Sequence, residues 1–336
     1  MAGTGVKLLI TGGAGFLGTL LARTLLAQGA LGGQAISRMV LADLVPPPAE
    51  LLADARVEAR TGALLAQCAA LHHEAFDGVF HLASAVSAEC EADFDLGLRS
   101  NLDSTRALLE ALRAAGNAPR LVFASSAAVF GGDPPFLPMP ALVRDDTVPT
   151  PQTSYGTHKL ICEHLIADYT RKGFIDGRAA RLLTVTVRPG RPNGAASSFL
   201  SGLFREPLAG LESVCPVAPD TLVALASPAR TVTALMTVYE ASREAFGGRT
   251  GLNLPALTVP VREMLDALDT VAGPAVRALV RLAPDPAIER IVSTWPGRFD
   301  SQRAARLGLV PDASVLGIVR QYLRDHPQAV KVPLRG

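Results

Sequence analysis

Cysteine is scarce in this chain and widely spread. The four, Cys68, Cys90, Cys162 and Cys215, form no C-x-x-C pair, which argues against a zinc ribbon and a disulfide framework and fits a reducing compartment. Neither sign of charge dominates: the formal net charge is +1, so no global field draws nucleic acid or an anionic membrane. No apolar run is long enough to span a bilayer. The first strand pattern begins at Val6, which leaves no room for a signal peptide. Two adjacent histidines, His72 and His73, point away from each other on a helix, so no metal is expected there. No internal repeat is visible. What remains is a cytoplasmic globular protein whose 336 residues, 49% hydrophobic, suffice for two domains or one large α/β domain with an appendage.

The chain is organised around residues 6–18. Val6 to Ile10 reads as a buried strand, and Phe16 to Leu26 reads as a helix. Between them Gly12, Gly15 and Gly18 make a G-x-x-G-x-x-G turn, and Gly13 also completes a literal G-x-G-x-x-G. Glycines at this spacing serve a tight turn, a close approach of backbone to a pyrophosphate, and close packing of helix on strand. The helix start offers free N–H groups and a positive dipole end. Ile36 to Ala42 is a second strand, closed by Asp43 about 25 residues beyond the turn, the distance at which an acid accepts the hydroxyls of an adenosine ribose. A carboxylate repels a 2′-phosphate and no Arg follows, so NAD is expected rather than NADP. The plainer alternative is that Asp43 caps a loop.

Strands are expected at Ala55 to Ala59, Gly78 to Ala83, Arg120 to Ala124 and Leu182 to Arg188, with helices between them. The crossover lengths predict an α/β fold with a doubly wound parallel sheet. Ala83-Ser84-Ala85 is small-residue backbone suited to lie against a cofactor. Asp93 to Ala115 reads as one long helix with Asn101 inside it, either a tolerated polar residue or a brace for the neighbouring strand ends. The six prolines of Pro134 to Pro151 make that stretch a loop and a candidate site wall. From Gly190 to about residue 221 the pattern loosens. Leu222 to Ala226 reads as a strand, and Pro228 to Ser242, Val261 to Ala272, Pro286 to Thr294 and Ser314 to Leu323 as helices. A dinucleotide-binding domain is expected over 1–188 and 222–256, and a smaller, α-rich C-terminal substrate domain over 189–221 and 257–330.

The chemistry is carried by Tyr155 and Lys159, four apart and so on one helix face. A neighbouring ammonium stabilises a phenolate, which makes the tyrosine a base for a substrate hydroxyl. Ser126, ending a strand, is placed to hydrogen-bond the same oxygen, and Lys159 to reach a nicotinamide ribose. A small sugar acid brings a carboxylate and hydroxyls, which a guanidinium fork and short polar donors recognise. Arg188, Arg191, Asn193 and Ser198 supply these directly after the sixth strand, and Arg230 is a second anion candidate. In the bland alternative Arg188 and Arg191 are solvated ends of a basic run.

The set Thr11-Gly12-Gly13-Ala14-Gly15-Phe16-Leu17-Gly18, Asp43, His81-Leu82-Ala83, Asn101, Ser125-Ser126, Tyr155-x-x-x-Lys159 and Arg188-Pro189 resembles the extended short-chain dehydrogenase/reductase superfamily of NAD-dependent epimerases and dehydratases. The resemblance implies a Rossmann domain, a Ser126–Tyr155–Lys159 triad and a homodimer through helices 93–115 and 155–172. It implies NAD contacts from Gly12, Gly15, Phe16, Leu17 and Asp43 on one side. On the other side it implies contacts from Leu82, Ala83, Ser84, Asn101, Tyr155 and Lys159. There are departures. Gly62-Ala63 stands where a Gly-Asp pair commonly meets the adenine, Phe130 replaces a Tyr, and Asp220 to Arg230 lacks the usual diphosphate-grasping arginine at its accustomed spot. Stretches such as Thr150-Pro151-Gln152-Thr153-Ser154-Tyr155, Arg188 to Phe199 and Thr294-Trp295-Pro296-Gly297 resemble the D-erythronate dehydrogenase group. That implies oxidation of a sugar acid at C2 to the 2-oxo acid. A nucleotide-sugar epimerase that keeps its NAD bound, and an NAD-binding protein without chemistry, are the alternatives.

Overall fold

A computed structural model describes residues 5–190 and 197–335. Strand β1 (Val6–Thr11) is buried along almost its whole length, as a strand covered on both faces must be. Its side chains alternate between two cores. Leu8 and Ile10 pack with Leu21 and Leu25 of helix α1 (Phe16–Gln28), while Leu9 joins Cys68, Leu108 and Ile166 on the opposite face. The sheet continues through β2 (Gln34–Asp43), β3 (Val57–Thr61), β4 (Gly78–His81), β5 (Arg120–Ser126) and β6 (Asp176–Leu182). It ends at the short strand Leu252–Asn253, which pairs with β6. These strands run parallel, in the order β3-β2-β1-β4-β5-β6. The order reverses between β1 and β4, and the crevice outside their carboxyl ends is where such sheets bind ligands. The doubly wound parallel sheet expected from the sequence is therefore present.

Helix α2 (Ser104–Ala115) and helix α3 (Ser154–Arg171) cover one face, and Pro228–Glu240 helps α1 cover the other. A second core lies beyond the sheet. It gathers Leu200, Leu203 and Phe204 of helix α4 (Ser198–Leu208), Leu265 and Leu268 of Val261–Ala272, and Ile318 and Val319 of Val315–Asp325. Leu222–Ala226 belongs with this core, in a small sheet between Leu257–Pro260 and Thr184–Val185.

Three local expectations need correction. The sixth strand of the main sheet is Asp176–Leu182, so of the expected Leu182 to Arg188 only its last residue, Leu182, belongs to that strand, and Thr184–Val185 is a strand of the other sheet. The strand was hidden because it carries Arg178 and Arg181. Both are buried, and their charge is met by Asp176 and Glu163. The helix expected over 93–115 is broken: Phe94–Gly97 and Ser104–Ala115 are α-helical, but Leu98–Asp103 is a π-helix. The loosely patterned stretch after Gly190 contains α4, whose interior Gly202 and Pro207 mask its periodicity.

Candidate active site

At the end of β1, Gly12 takes φ +73°, and a Cβ there would lie 2.8 Å from the Ala83 nitrogen. Gly18 packs closer still: a Cβ would come within 2.1 Å of the Gly12 carbonyl oxygen. The Gly12 and Gly13 N–H groups donate to the Ala42 carbonyl, which folds the turn over β2. No side chain caps α1 at Gly15, and its first turn holds no acid. The helix start thus presents open N–H groups and its positive dipole end, a fit for a pyrophosphate. Asp43 closes the turn from the side. Its Oδ2 accepts from the Ala14 and Gly15 N–H groups at 2.9 and 3.1 Å, and its Oδ1 from Leu44 N–H at 2.6 Å. The carboxylate thus braces the turn.

The loop after β4 is held by Asn101, 3% exposed in the π-helical turn. Its Oδ1 accepts from Ala85 N–H at 2.7 Å and from Ser84 Oγ at 3.0 Å, and its Nδ2 donates to the Ala85 carbonyl at 3.2 Å. Of the two readings of Asn101, the brace is the one realised. A π turn carries one extra residue, and such turns gather at functional sites. Sequence reasoning gave no role to His81. Thr105 Oγ1 donates to the Asn101 carbonyl, so it accepts from His81 Nε2–H at 2.8 Å. Thr11 Oγ1 then donates to His81 Nδ1 at 2.6 Å and accepts from Ala83 N–H at 3.3 Å. This chain ties the glycine turn to the π turn. Burial, and secondarily the Lys159 charge, push the His81 imidazole down to about 3, so it is neutral.

Thr153 caps α3 by accepting from Gly156 N–H at 3.0 Å. Gly156 is required where it stands, because a Cβ would lie 2.1 Å from the Ala128 carbonyl. That contact seats the first turn of α3 directly on the turn that follows Ser126. Lys159 is 3% exposed, donates to the Ala124 carbonyl at 2.8 Å, and lies 5.4 Å from the Tyr155 ring centroid. Tyr155 itself is half-buried. Ser126 Oγ accepts from Ala128 N–H at 3.1 Å, so the hydroxyl keeps its own hydrogen to donate. One turn beyond Lys159, the buried Glu163 pairs with Arg181 at 2.7 Å, accepts from Ser125 Oγ, and is linked through Arg181 to Asn253. The spacing of Glu163 from Lys159 was the available sign that it faces the sheet. Its partner could not be read from local pattern.

On the other side of the crevice the half-buried Arg188 donates through Nε to the Val185 carbonyl at 3.1 Å. Burial pushes its guanidinium below the usual arginine range. The nearby Tyr155 phenol opposes that shift, and the Arg205 charge adds to it. Among the described residues no Asp or Glu forms an ion pair with Arg188. Arg191 and Asn193 lie outside the described residues. Ser198 begins α4 and is half-buried. Arg230 is exposed in the first turn of Pro228–Glu240, in a cleft with Leu183, Leu254 and Leu309.

A glycine turn at a sheet switch point, facing a Tyr-x-x-x-Lys helix and a strand-end serine, defines a nucleotide-dependent oxidoreductase or epimerase site. The comparisons agree: residues 8–221 match the NAD dependent epimerase/dehydratase family, and the chain belongs to it. It is 49% identical to a D-erythronate dehydrogenase of Cupriavidus necator over 95% of this chain and 98% of that one. A D-erythronate dehydrogenase of Haemophilus influenzae is 40% identical over 95% and 99%. Among solved structures, one described as the nucleoside-diphosphate-sugar epimerase from Agrobacterium tumefaciens superposes with a TM-score of 0.90 at 40% identity. It covers 97% of this chain and 95% of that chain.

Proposed function

We propose that this chain is an NAD-dependent dehydrogenase that oxidises the C2 hydroxyl of a small sugar acid, D-erythronate or a close analogue, to the 2-oxo acid. Gly12, Gly15, Phe16 and Leu17 hold the pyrophosphate side of NAD and Asp43 the adenosine ribose. Leu82, Ala83 and Ser84 form the wall that Asn101 keeps in place, and Lys159 and Tyr155 meet the nicotinamide end. NAD, when bound, supplies the hydride acceptor. Tyr155 takes the proton of the C2 hydroxyl at its phenolic oxygen, with the Lys159 ammonium beside its ring and Ser126 donating to the substrate oxygen. The observation that carries the substrate class is Arg188: a half-buried guanidinium, held through Nε on the Val185 carbonyl, without a carboxylate partner among the described residues and within electrostatic reach of Tyr155. A substrate carboxylate supplies the missing anion, and its C2 then lies on the tyrosine side. Arg191, Asn193, Ser198 and Arg230 are the further substrate candidates. The test is NADH appearance with D-erythronate, L-threonate and longer aldonates. No NADH from any sugar acid sinks the proposal.

The likeness to the nucleoside-diphosphate-sugar epimerase structure supports a second reading, an epimerase that retains its NAD. It predicts protein purified with tightly held NAD and no net turnover with UDP-sugars. The substrate reading also assigns the second core, with α4, to substrate binding and the sheet to NAD. Four free, buried cysteines suit a cytoplasmic enzyme. A homodimer is supported by the groove of Phe94, Leu98, Thr157 and Ile161, where Phe94 is 59% exposed. Light scattering of an Ile161→Glu variant tests it.

A further inference from the structure

Both backbone groups of Arg188 are held by one helix. The Arg188 N–H donates to Ser201 Oγ at 3.0 Å, and the Arg188 carbonyl accepts from Arg205 Nη1 at 3.1 Å. Ser201 and Arg205 are four apart on α4, so they face the same way and grip the peptide units on either side of one residue. Neither is a surface side chain: Ser201 is 1% exposed and Arg205 is 7% exposed. Ser201 is itself fixed, 3.3 Å from the buried Thr186 hydroxyl. Glu206 accepts from Arg205 Nη2 at 2.5 Å and cancels its charge. A buried guanidinium with its charge met next door, used as a hydrogen-bond donor to a carbonyl, has a geometric purpose. It does not serve as an anion site, because its fork is already occupied.

We infer that Ser201 and Arg205 are positioning residues that aim Arg188 at the substrate carboxylate, and so help set the specificity for acids over neutral polyols. The inference rests on the reading of Arg188 given above. The main chain of Arg188 is fixed between the small sheet that ends at Val185 and helix α4. Its side chain therefore leaves from a set point, with Nε held on the Val185 carbonyl. Loosening that point lowers the share of molecules in which the guanidinium meets the acid, a cost paid on binding and not in the chemical step.

The test uses steady-state kinetics with D-erythronate and NAD on the full chain, with thermal melting and NAD titration as controls. Arg188→Met is expected to raise KM about a hundredfold, as loss of a charged hydrogen-bond pair does. Ser201→Ala is expected to raise KM about tenfold with kcat nearly unchanged, since the hydroxyl acceptor alone is removed. Ser201→Thr, which keeps the oxygen, restores KM, and Arg205→Lys falls between. NAD affinity stays at the wild-type value in all four. If Arg188→Met raises KM while Ser201→Ala does not, the clamp is overturned and the reading of Arg188 survives. If Arg188→Met leaves KM alone, that reading fails and the clamp fails with it, whatever Ser201→Ala does. A purely structural role for Ser201 is seen as a fall in kcat and melting temperature with KM unchanged, and it too overturns the clamp. Where Arg205→Lys does not fold, the Ser201 pair decides the matter.

Discussion

The two walls of the crevice are built by different means. The β1–β4 wall is made of backbone. Its shape comes from glycines that bring chain against chain, and its side chains mostly hold that backbone still, as Asp43, Asn101 and His81 do. The Arg188 wall is made of side chains, on a segment whose backbone is held by two side chains of the helix that follows it. A backbone site tolerates change only at the cost of its shape. A side-chain site can be retuned one group at a time, which is how one cofactor wall serves many substrates.

The largest expected effect falls where the walls meet. Tyr155→Phe lowers kcat about a thousandfold while NAD still binds, measured by turnover and fluorescence titration. Retained turnover means that proton transfer lies elsewhere and that the two walls do not share this residue. Next comes the backbone wall alone. Gly12→Ala places a Cβ 2.8 Å from the Ala83 nitrogen at a positive φ. NAD affinity then falls about a hundredfold, with the melting of the second core little changed.

Asp43→Ala separates the two roles of that carboxylate. Loss of the ribose contact weakens NAD about tenfold and leaves NADP unharmed or improved, whereas loss of the brace weakens both alike. The effect that is smallest at neutral pH, and grows only in acid, is on stability. His81 is held neutral with its pKa near 3 in the folded protein, while in the unfolded chain it takes up a proton near pH 6.5. Below that value the unfolded state binds more protons. Stability therefore falls as pH drops from 6.5 towards 3, by up to about 1.4 kcal/mol per pH unit. Denaturant melts of wild type and His81→Gln should differ in slope across this window, and equal slopes remove His81 from the account.

The legible parts of the sequence were the ones whose physics is local. The glycine turn, its flanking strand and helix, and the closing Asp43 all announce themselves within one β-α-β unit. Asn101 was visible as a polar residue inside a long helical pattern, but the π turn that aims it was not, because the pattern on either side of it continues with helical period. Charge concealed β6: Arg178 and Arg181 read as surface residues, and only Asp176 and the distant Glu163 make their burial tolerable. Helix α4 was lost among glycine, serine and proline, and with it Ser201 and Arg205.

By itself, then, the sequence determined the nucleotide-binding turn, the parallel α/β order, and the pairing of Tyr155 with Lys159 on one face. A turn, a strand and one helical repeat are enough to place those groups. Tertiary structure alone decided which charges are buried, where the helix over Asn101 opens into a π turn, and what holds Arg188. Each of these depends on a partner that the chain brings in from another element, and the free energy of a buried ion pair or hydrogen bond exists only once that partner has arrived.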